Sequence, residues 1–299
     1  QKDDVHKTIT ENAEFLEYNK KVNKAFEEWK TFANPILTNL KPADSNKEII
    51  LKLSEEILSK FTKLELLDKY DVYQVLLAYW NETMNDDVLL VIQDELGYRL
   101  AKVTDDIKEE PKESKKSKKD SAKEKKPKEP KVIGWEGRLI PKQIVLDAFF
   151  ETEQKAIEEA EEKLSQTESE FEEFVEENTE DDELSQEPEI LKKCKTYEAS
   201  IKSQKKTIAD LKKKLDENCR KRYDSFTDTE ITDLLVNRKW YKTIDQGIQN
   251  LYVTVANHLT KRIVELYERY ENTLPELTAK LAEEEKEVAS HLAQMGFKL

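Results

Sequence analysis

Two heptad series in the second half of the chain constrain its fold more than any other feature of the sequence. Apolar residues recur every seven positions in each series, and a break at about residues 178–188 separates the two. A seven-residue apolar repeat is typical of helices that pair as a coiled coil, so two series with a short break predict an antiparallel coiled-coil hairpin. The repeats are Phe150, Ile157, Leu164 and Phe171, then Cys194, Ile201, Ile208 and Leu215, with Tyr197, Gln204 and Leu211 between the latter.

Opposite charges on the two arms favour this pairing. Residues 151–190 carry 18 acidic residues and two lysines, whereas residues 191–222 carry 12 basic and four acidic residues. An acidic arm next to a basic arm favours contact between the two and disfavours pairing of two copies of the same arm. The charge pattern therefore supports a hairpin within one chain.

The overall composition is typical of a helical protein. Charged residues make up 38% of the 299 residues, and only five residues are glycine. So few glycines leave little of the turn chemistry that sheets with tight hairpins need. We therefore expect an all-α fold with at most a minor short strand pair. The net charge of −14 argues against a protein that coats nucleic acid over its whole surface, but it leaves room for a local basic patch.

Shifts in composition divide the chain into four predicted segments. Residues 1–107 have the periodicity of a helical domain, although the apolar run at residues 88–92 is short enough to be a buried strand. Residues 108–131 hold eleven lysines and too little apolar surface to offset their ordering entropy, which predicts a solvated linker. Residues 132–226 are predicted to form the coiled-coil hairpin, and residues 227–299 the C-terminal helices.

Local signals predict where several helices begin and end. Asn34-Pro35 is expected to interrupt one helix. Asp68 or Asp71 can cap another, whose apolar stripe is Tyr73, Leu77, Trp80 and Met84. The spacing of this stripe favours core packing over base stacking. Thr227 and Glu230 form a predicted capping box, and Pro275 is well placed in the first turn of the last helix.

The sequence contains no recognisable catalytic constellation. It lacks a G-x-G-x-x-G loop, a P-loop, an H-E-x-x-H motif and paired C-x-x-C motifs. We therefore predict no catalytic, cofactor-binding or metal-ligating residue in this chain. No stretch approaches the roughly 18 apolar residues of a membrane span, so we expect no membrane partner. Two isolated cysteines favour a reducing, cytoplasmic location.

Two other features suggest binding surfaces. The lysine tract could contact DNA phosphates without sequence preference, or could simply keep a linker solvated. The last helix has an apolar stripe too narrow to fill a core and suited to docking on another helix. The candidate phosphate contacts are Lys115, Lys116, Lys118, Lys119, Lys125 and Lys126, and the candidate docking residues are Leu281, Val288, Leu292 and Met295.

Several separate motifs occur along nearly the whole chain in the order in which one known family carries them. The first runs from Leu67 to Asp87 and contains Tyr-Asp-Val-Tyr-Gln followed by Tyr-Trp-Asn-Glu-Thr-Met-Asn-Asp-Asp. The others include Leu139-Ile140-Pro141 with Phe150 and Glu153, Lys239-Trp240, Leu259-Thr260-Lys261-Arg262-Ile263, Leu274-Pro275-Glu276-Leu277 and His291-Leu292. Together they resemble the C-terminal part of the modification subunit of type I restriction-modification systems.

This resemblance implies an activity and a set of partners. Members of the family transfer a methyl group from S-adenosylmethionine to N6 of adenine in double-stranded DNA, flipping the base to do so. The implied partners are double-stranded DNA, a specificity subunit, a second modification subunit and a restriction subunit, in the cytoplasm of a bacterium or archaeon. The family's Gly-rich cofactor loop is missing, and Asn34-Pro35 is followed by Ile36 where the catalytic motif has a second proline. S-adenosylmethionine is therefore expected to bind a catalytic domain upstream of Gln1.

Three classes of function remain open from the sequence. The first is a module that docks the catalytic subunit of a DNA adenine-N6 methyltransferase onto the specificity subunit and DNA. The second is a non-catalytic coiled-coil module that clamps DNA, or acts as a scaffold, through the lysine tract and the basic arm. The third is a free-standing enzyme. The chain begins with Gln1 in the middle of a pattern, so we expect it to be part of a longer protein.

Overall fold

Helices make up nearly all of the regular structure in the computed structural model. The structure describes residues 2–108, 132–180, 183–184, 187–270 and 274–295. Within them, the strands form two antiparallel pairs, one of which has only two residues in each strand. This confirms the predicted all-α class with a minor strand pair. None of the described helices is long and apolar enough to cross a membrane.

The elements follow one another with few irregular connections, and two π-helical segments and one 3-10 segment interrupt the α-helices. Helices α1 to α5 precede the first strand pair, and α7 and α8 form the two arms of the hairpin. The bounds are α1 Lys2–Thr10, α2 Ala13–Leu37, α3 Asn46–Phe61, α4 Lys69–Tyr79, a π-helix Trp80–Met84, α5 Asn85–Gln93, a 3-10 helix Gly97–Lys102, β1 Thr104–Lys108, β2 Val132–Gly137, α6 Lys142–Phe149, α7 Glu151–Glu177, β3 Thr179–Glu180, β4 Glu183–Leu184, α8 Pro188–Asp224, α9 Asp228–Thr232, a π-helix Asp233–Tyr241, α10 Lys242–Tyr270 and α11 Leu274–Gln294.

The described chain forms two compact units, each assembled from segments that are distant in sequence. Unit 1 comprises Gln1–Ala33, Lys47–Glu82 and Ile244–Leu299, and unit 2 comprises Asn34–Asn46 and Thr83–Thr243. The four-segment division predicted from composition stays a prediction.

The core of unit 1 is built around the fully buried Trp29. Its indole Nε1 donates a hydrogen bond to the carbonyl of Leu53 at 3.0 Å, which joins α2 to α3. Near the start of α2, the ring of Phe15 stacks on that of Tyr252 with centroids 4.5 Å apart. The Tyr252 hydroxyl donates to the Phe15 carbonyl at 3.0 Å, so the hydroxyl of this buried ring is paired.

Helix α4 is capped as predicted but buries a different face. The Asp68 side chain accepts a hydrogen bond from the amide of Tyr70 at 2.8 Å, which confirms the predicted cap. The buried residues of α4 are Val72 and Leu76. The prediction that Tyr73 and Leu77 form the buried stripe is therefore wrong by one position, since both are only half-buried. The predicted burial of Trp80 is confirmed, and this supports core packing over base stacking.

Three further local expectations have different outcomes. The prediction that Asn34-Pro35 interrupts its helix is wrong, because α2 continues to Leu37. Proline removes one amide donor, but here it lies in the last turn, and the fully buried Leu37 side chain favours continuation of the helix. The capping box is confirmed, since Thr227 and Glu230 exchange hydrogen bonds at the start of α9. The alternative of a strand at residues 88–92 is not realised, because this run lies in α5.

In unit 2, helices α7 and α8 form the predicted antiparallel hairpin. Near its tip, the Tyr197 ring stacks on Phe171 with centroids 5.6 Å apart. Toward its base, Lys205 Nζ lies 2.7 Å from Glu168 Oε1, and Lys212 Nζ lies 2.6 Å from Glu161 Oε1. Partners move back along α7 as they move forward along α8, which is the antiparallel register. The opposite charges of the arms therefore meet in the way that the sequence predicts.

Candidate functional site

Helix α11 presents an apolar stripe to solvent along its whole length. The helix begins at Leu274 with Pro275 in its first turn, as predicted, and none of its 21 residues, all described, is buried. Three of the four candidate docking residues are strongly exposed, Leu281 at 57%, Val288 at 56% and Met295 at 73%, while Leu292 is half-buried. At about 100° per residue, these four lie within a sector of about 60°. The stripe is therefore a single narrow face.

The C-terminal half of α10 continues this apolar exposure. Buried residues from Ile244 to Thr260 anchor the first part of α10 in unit 1, and the described residues of the helix after Thr260 have no buried side chain. The exposed large apolar residues from position 259 onward are Leu259, Ile263, Leu266, Tyr267 and Tyr270. An apolar surface of this extent is typical of a protein-binding face.

A groove with a volume of about 680 Å³ opens beside this part of α10. Its apolar lining comes from three separate stretches of unit 1, and charged side chains lie at its edge. The Tyr18 hydroxyl lies in its wall and accepts hydrogen bonds from the amides of Leu66 and Leu67 at 3.2 and 2.9 Å. Burial raises the pKa of Tyr18. An apolar floor with a polar rim is the usual anatomy of a protein-docking groove. The lining includes Ile9, Phe15, Leu64, Leu66, Leu259 and Ile263.

Sequence reasoning missed a buried ionic cluster in unit 2. The Lys239 ammonium lies 2.6 Å from Asp87 Oδ2 and donates to the carbonyl of Leu139 at 2.7 Å. Trp240 Nε1 donates to the same carboxylate at 2.9 Å. Burial raises the pKa of Asp87, and the neighbouring Lys239 ammonium opposes that rise. The π-helix Asp233–Tyr241 places Lys239 and Trp240 side by side on the buried face.

This cluster is closed to solvent, and its contacts are structural. Asp87 and Lys239 are 5% and 7% exposed, so no substrate can reach the ion pair. Asp87, Leu139 and the Lys239-Trp240 pair belong to three of the separate motifs that carry the family resemblance. The structure therefore brings these three segments together at one point in the core.

The candidate phosphate contacts cannot be placed in the same way. Lys115, Lys116, Lys118, Lys119, Lys125 and Lys126 lie outside the described residues. The described residues that flank the tract do meet, because Lys108 of β1 pairs with Val132 of β2.

The space beside Gly137 does not fit a Gly-rich loop that cradles S-adenosylmethionine. Gly137 is the glycine nearest to a strand–helix junction, between β2 and α6, and a Cβ there would collide with the Ile140 carbonyl and the Tyr223 ring. This space is filled by protein, and the Tyr223 hydroxyl donates to the Ile140 carbonyl at 2.8 Å. Nor do the described residues include a group of three or more His, Cys, Asp or Glu side chains that could hold a metal ion.

Comparison with known proteins gives no match. No protein-family model matches the chain, and neither a curated protein nor a solved structure is significantly similar to it.

Proposed function

We propose that this chain is the C-terminal helical region of the DNA adenine-N6 methyltransferase subunit of a type I restriction-modification system. In this role it docks the catalytic subunit onto the specificity subunit and DNA, in the cytoplasm of a bacterium or archaeon. The observation that carries the proposal is the exposed apolar stripe of α11, a helix without one buried residue. A second modification subunit and a restriction subunit would complete the assembly.

The stripe has the chemistry of a helix that binds in a groove. Apolar anchors on one face of a helix are the recognition mode of amphipathic helices, and Leu281, Val288 and Leu292 have the required i, i+7 and i+11 spacing. Fully burying one such side chain contributes about 1.5–3 kcal/mol. An isolated helix is also only marginally stable in water, so a partner that covers α11 would stabilise it. The helical spacers of the specificity subunit are the partner that the family resemblance suggests.

The buried cluster lends separate support to the family assignment. Asp87, Leu139 and Lys239 come from motifs that are separated by 52 and 100 residues, yet they share one ion-pair network. Motifs that specify a common core are expected to recur together in a family. This convergence supports the proposal that the chain belongs to that family.

The double substitution Leu281→Asp with Leu292→Asp tests the docking face. It places two carboxylates in the proposed apolar interface, where burying an unpaired charge costs several kcal/mol. We expect binding to the specificity subunit to weaken at least 100-fold, measured by titration calorimetry with the purified subunit. Because neither side chain is buried in α11, the helical content of the variant should match that of the wild type.

A matched control places the same charges on the opposite side of α11. Ala279→Asp with Ser290→Asp adds two carboxylates at exposed positions roughly 160–180° from Leu281. This variant should bind the specificity subunit with wild-type affinity. Undiminished binding by the Leu281/Leu292 variant would exclude the stripe as the docking face.

The cofactor provides a further prediction. Since the sequence lacks the Gly-rich cofactor loop of the family, titration of this chain with S-adenosylmethionine should release no heat of binding. A dissociation constant in the micromolar range would contradict the assignment of the cofactor to another domain and would favour a free-standing enzyme. The alternative of a DNA clamp draws on the lysine tract, most of which lies outside the described residues, and on the basic arm at residues 191–222, which is described.

A further inference from the structure

A row of lysines runs along the side of α8 that faces away from the coiled-coil core. With Cys194 at heptad position a, the outermost positions b and f between residues 192 and 213 are occupied by five lysines and two alanines. None of these seven positions carries an acidic residue. The row consists of Lys192, Lys195, Lys202, Lys206 and Lys213, all exposed.

Few of the hairpin's acidic residues form ion pairs with the lysines of this row. The ion pairs between the two arms use Lys205 and Lys212, which occupy position e beside the core. Among the described residues, no carboxylate lies within ion-pair distance of the first four lysines of the row. Lys213 has one long contact, 4.0 Å to Glu217. The acids nearest to the row on α8 are Glu198 at position e, Asp210 and Glu217 at position c, and Asp216 at the next position b, where it pairs with Lys142.

The dimensions of the row suit a double helix. The rise from Lys192 to Lys213 is about 31 Å at 1.5 Å per residue, close to the roughly 34 Å of one turn of B-form DNA. The helix that carries the row is stiffened by its partner arm, so the charges are held in a straight line. A straight row of this length can lie along a duplex where the backbone crosses it.

The residue types of the row favour a double helix over a protein partner or a single-stranded nucleic acid. Its gaps are filled by Ala199 and Ala209, and positions b and f contain no aromatic or large apolar residue. A protein interface normally has such residues as buried anchors, and a single-strand binder has aromatic side chains on which bases stack. Lysines alone supply the sequence-independent attraction of a phosphate backbone.

We propose that the outer face of α8 binds the phosphate backbone of double-stranded nucleic acid without reading its sequence. The row is on α8 and the docking stripe on α11, so the two assignments can fail separately. This surface is separate in sequence from the lysine tract at residues 108–131. The test therefore has to distinguish duplex binding by the row from duplex binding by the tract.

The test measures binding of the full chain to a fluorescent duplex of two helical turns by anisotropy at increasing salt. Lys195, Lys202, Lys206 and Lys213 are replaced by glutamine, which preserves helix propensity. We expect the affinity at low salt to fall at least tenfold. Because each phosphate contact contributes about −0.9 to the salt dependence, the slope of log K against log salt should lose about 3 to 4 units.

A control with the same change in net charge separates the row from general electrostatics. Lys20, Lys24, Lys47 and Lys52 are exposed on α2 and α3, and their replacement by glutamine should leave duplex binding unchanged. Equal affinity of the row variant and the wild type, equal losses in both variants, or no duplex binding by the wild type would overturn the proposal. It would also be overturned if the row variant lost binding to a polyglutamate peptide but not to the duplex.

Discussion

Replacing Asp87 by alanine is expected to lower the free energy of unfolding by about 3–5 kcal/mol. The substitution leaves the Lys239 ammonium buried without its counter-charge, and it removes the acceptor of Trp240 Nε1. Removing one partner of a buried ion pair is far more costly than replacing both, because the remaining charge has lost its water. Urea unfolding followed by tryptophan fluorescence measures the loss.

Two matched variants show whether the ion pair is the cause. Asp86→Ala removes the neighbouring exposed carboxylate and should change the unfolding free energy by less than about 0.5 kcal/mol. Asp87→Leu combined with Lys239→Met removes both charges and should recover part of the loss. A loss below 1 kcal/mol for Asp87→Ala would contradict the buried pair.

Replacing Trp29 by alanine is expected to destabilise unit 1 by about 3–5 kcal/mol, the usual cost of deleting a large buried aromatic side chain. Trp29 is fully buried, and its indole also pairs the carbonyl of Leu53. Trp29→Phe separates these contributions, since it retains an apolar ring but removes the indole hydrogen bond to the Leu53 carbonyl. It should cost about 1–3 kcal/mol.

The control for this prediction lies on the helix that supplies the paired carbonyl. Leu51 of α3 is more than half exposed, so Leu51→Ala should cost well under 1 kcal/mol in the same urea experiment. Equal losses for Leu51→Ala and Trp29→Ala would mean that Trp29 does not organise the core of unit 1.

The hairpin could be predicted from the sequence because its determinants are local and repeated. The heptads place Ile157 and Ile208 in the core, and the opposite charges of the arms predict contacts such as Glu168 with Lys205. Helix caps at Asp68 and Thr227 were predictable for the same reason, since each cap involves residues only two or three positions apart.

Features that depend on distant contacts could not be predicted. The partners Asp87 and Lys239 are 152 positions apart, and the lysine reaches the carboxylate from a π-helix whose wider turn the usual helical periodicity does not describe. Continuation of α2 through Pro35 depends in the same way on burial of Leu37, which is a tertiary effect.

The candidate site was predictable only in part. The stripe of Leu281, Val288 and Met295 follows from helical spacing, whereas the groove beside Ile263 depends on how α1, α2 and α10 pack. The lysine row of α8 required the structure as well, because only the contacts between the arms distinguish paired lysines from unpaired ones.

Hydrogen exchange of α11 in the presence of the specificity subunit tests the docking proposal most directly. The amides of α11 belong to a helix without buried side chains, so in the isolated chain they should exchange rapidly. We expect that adding the specificity subunit slows exchange across residues 274–295, and that the Leu281→Asp/Leu292→Asp variant loses this protection. Binding of the subunit with unchanged exchange across these residues would contradict it.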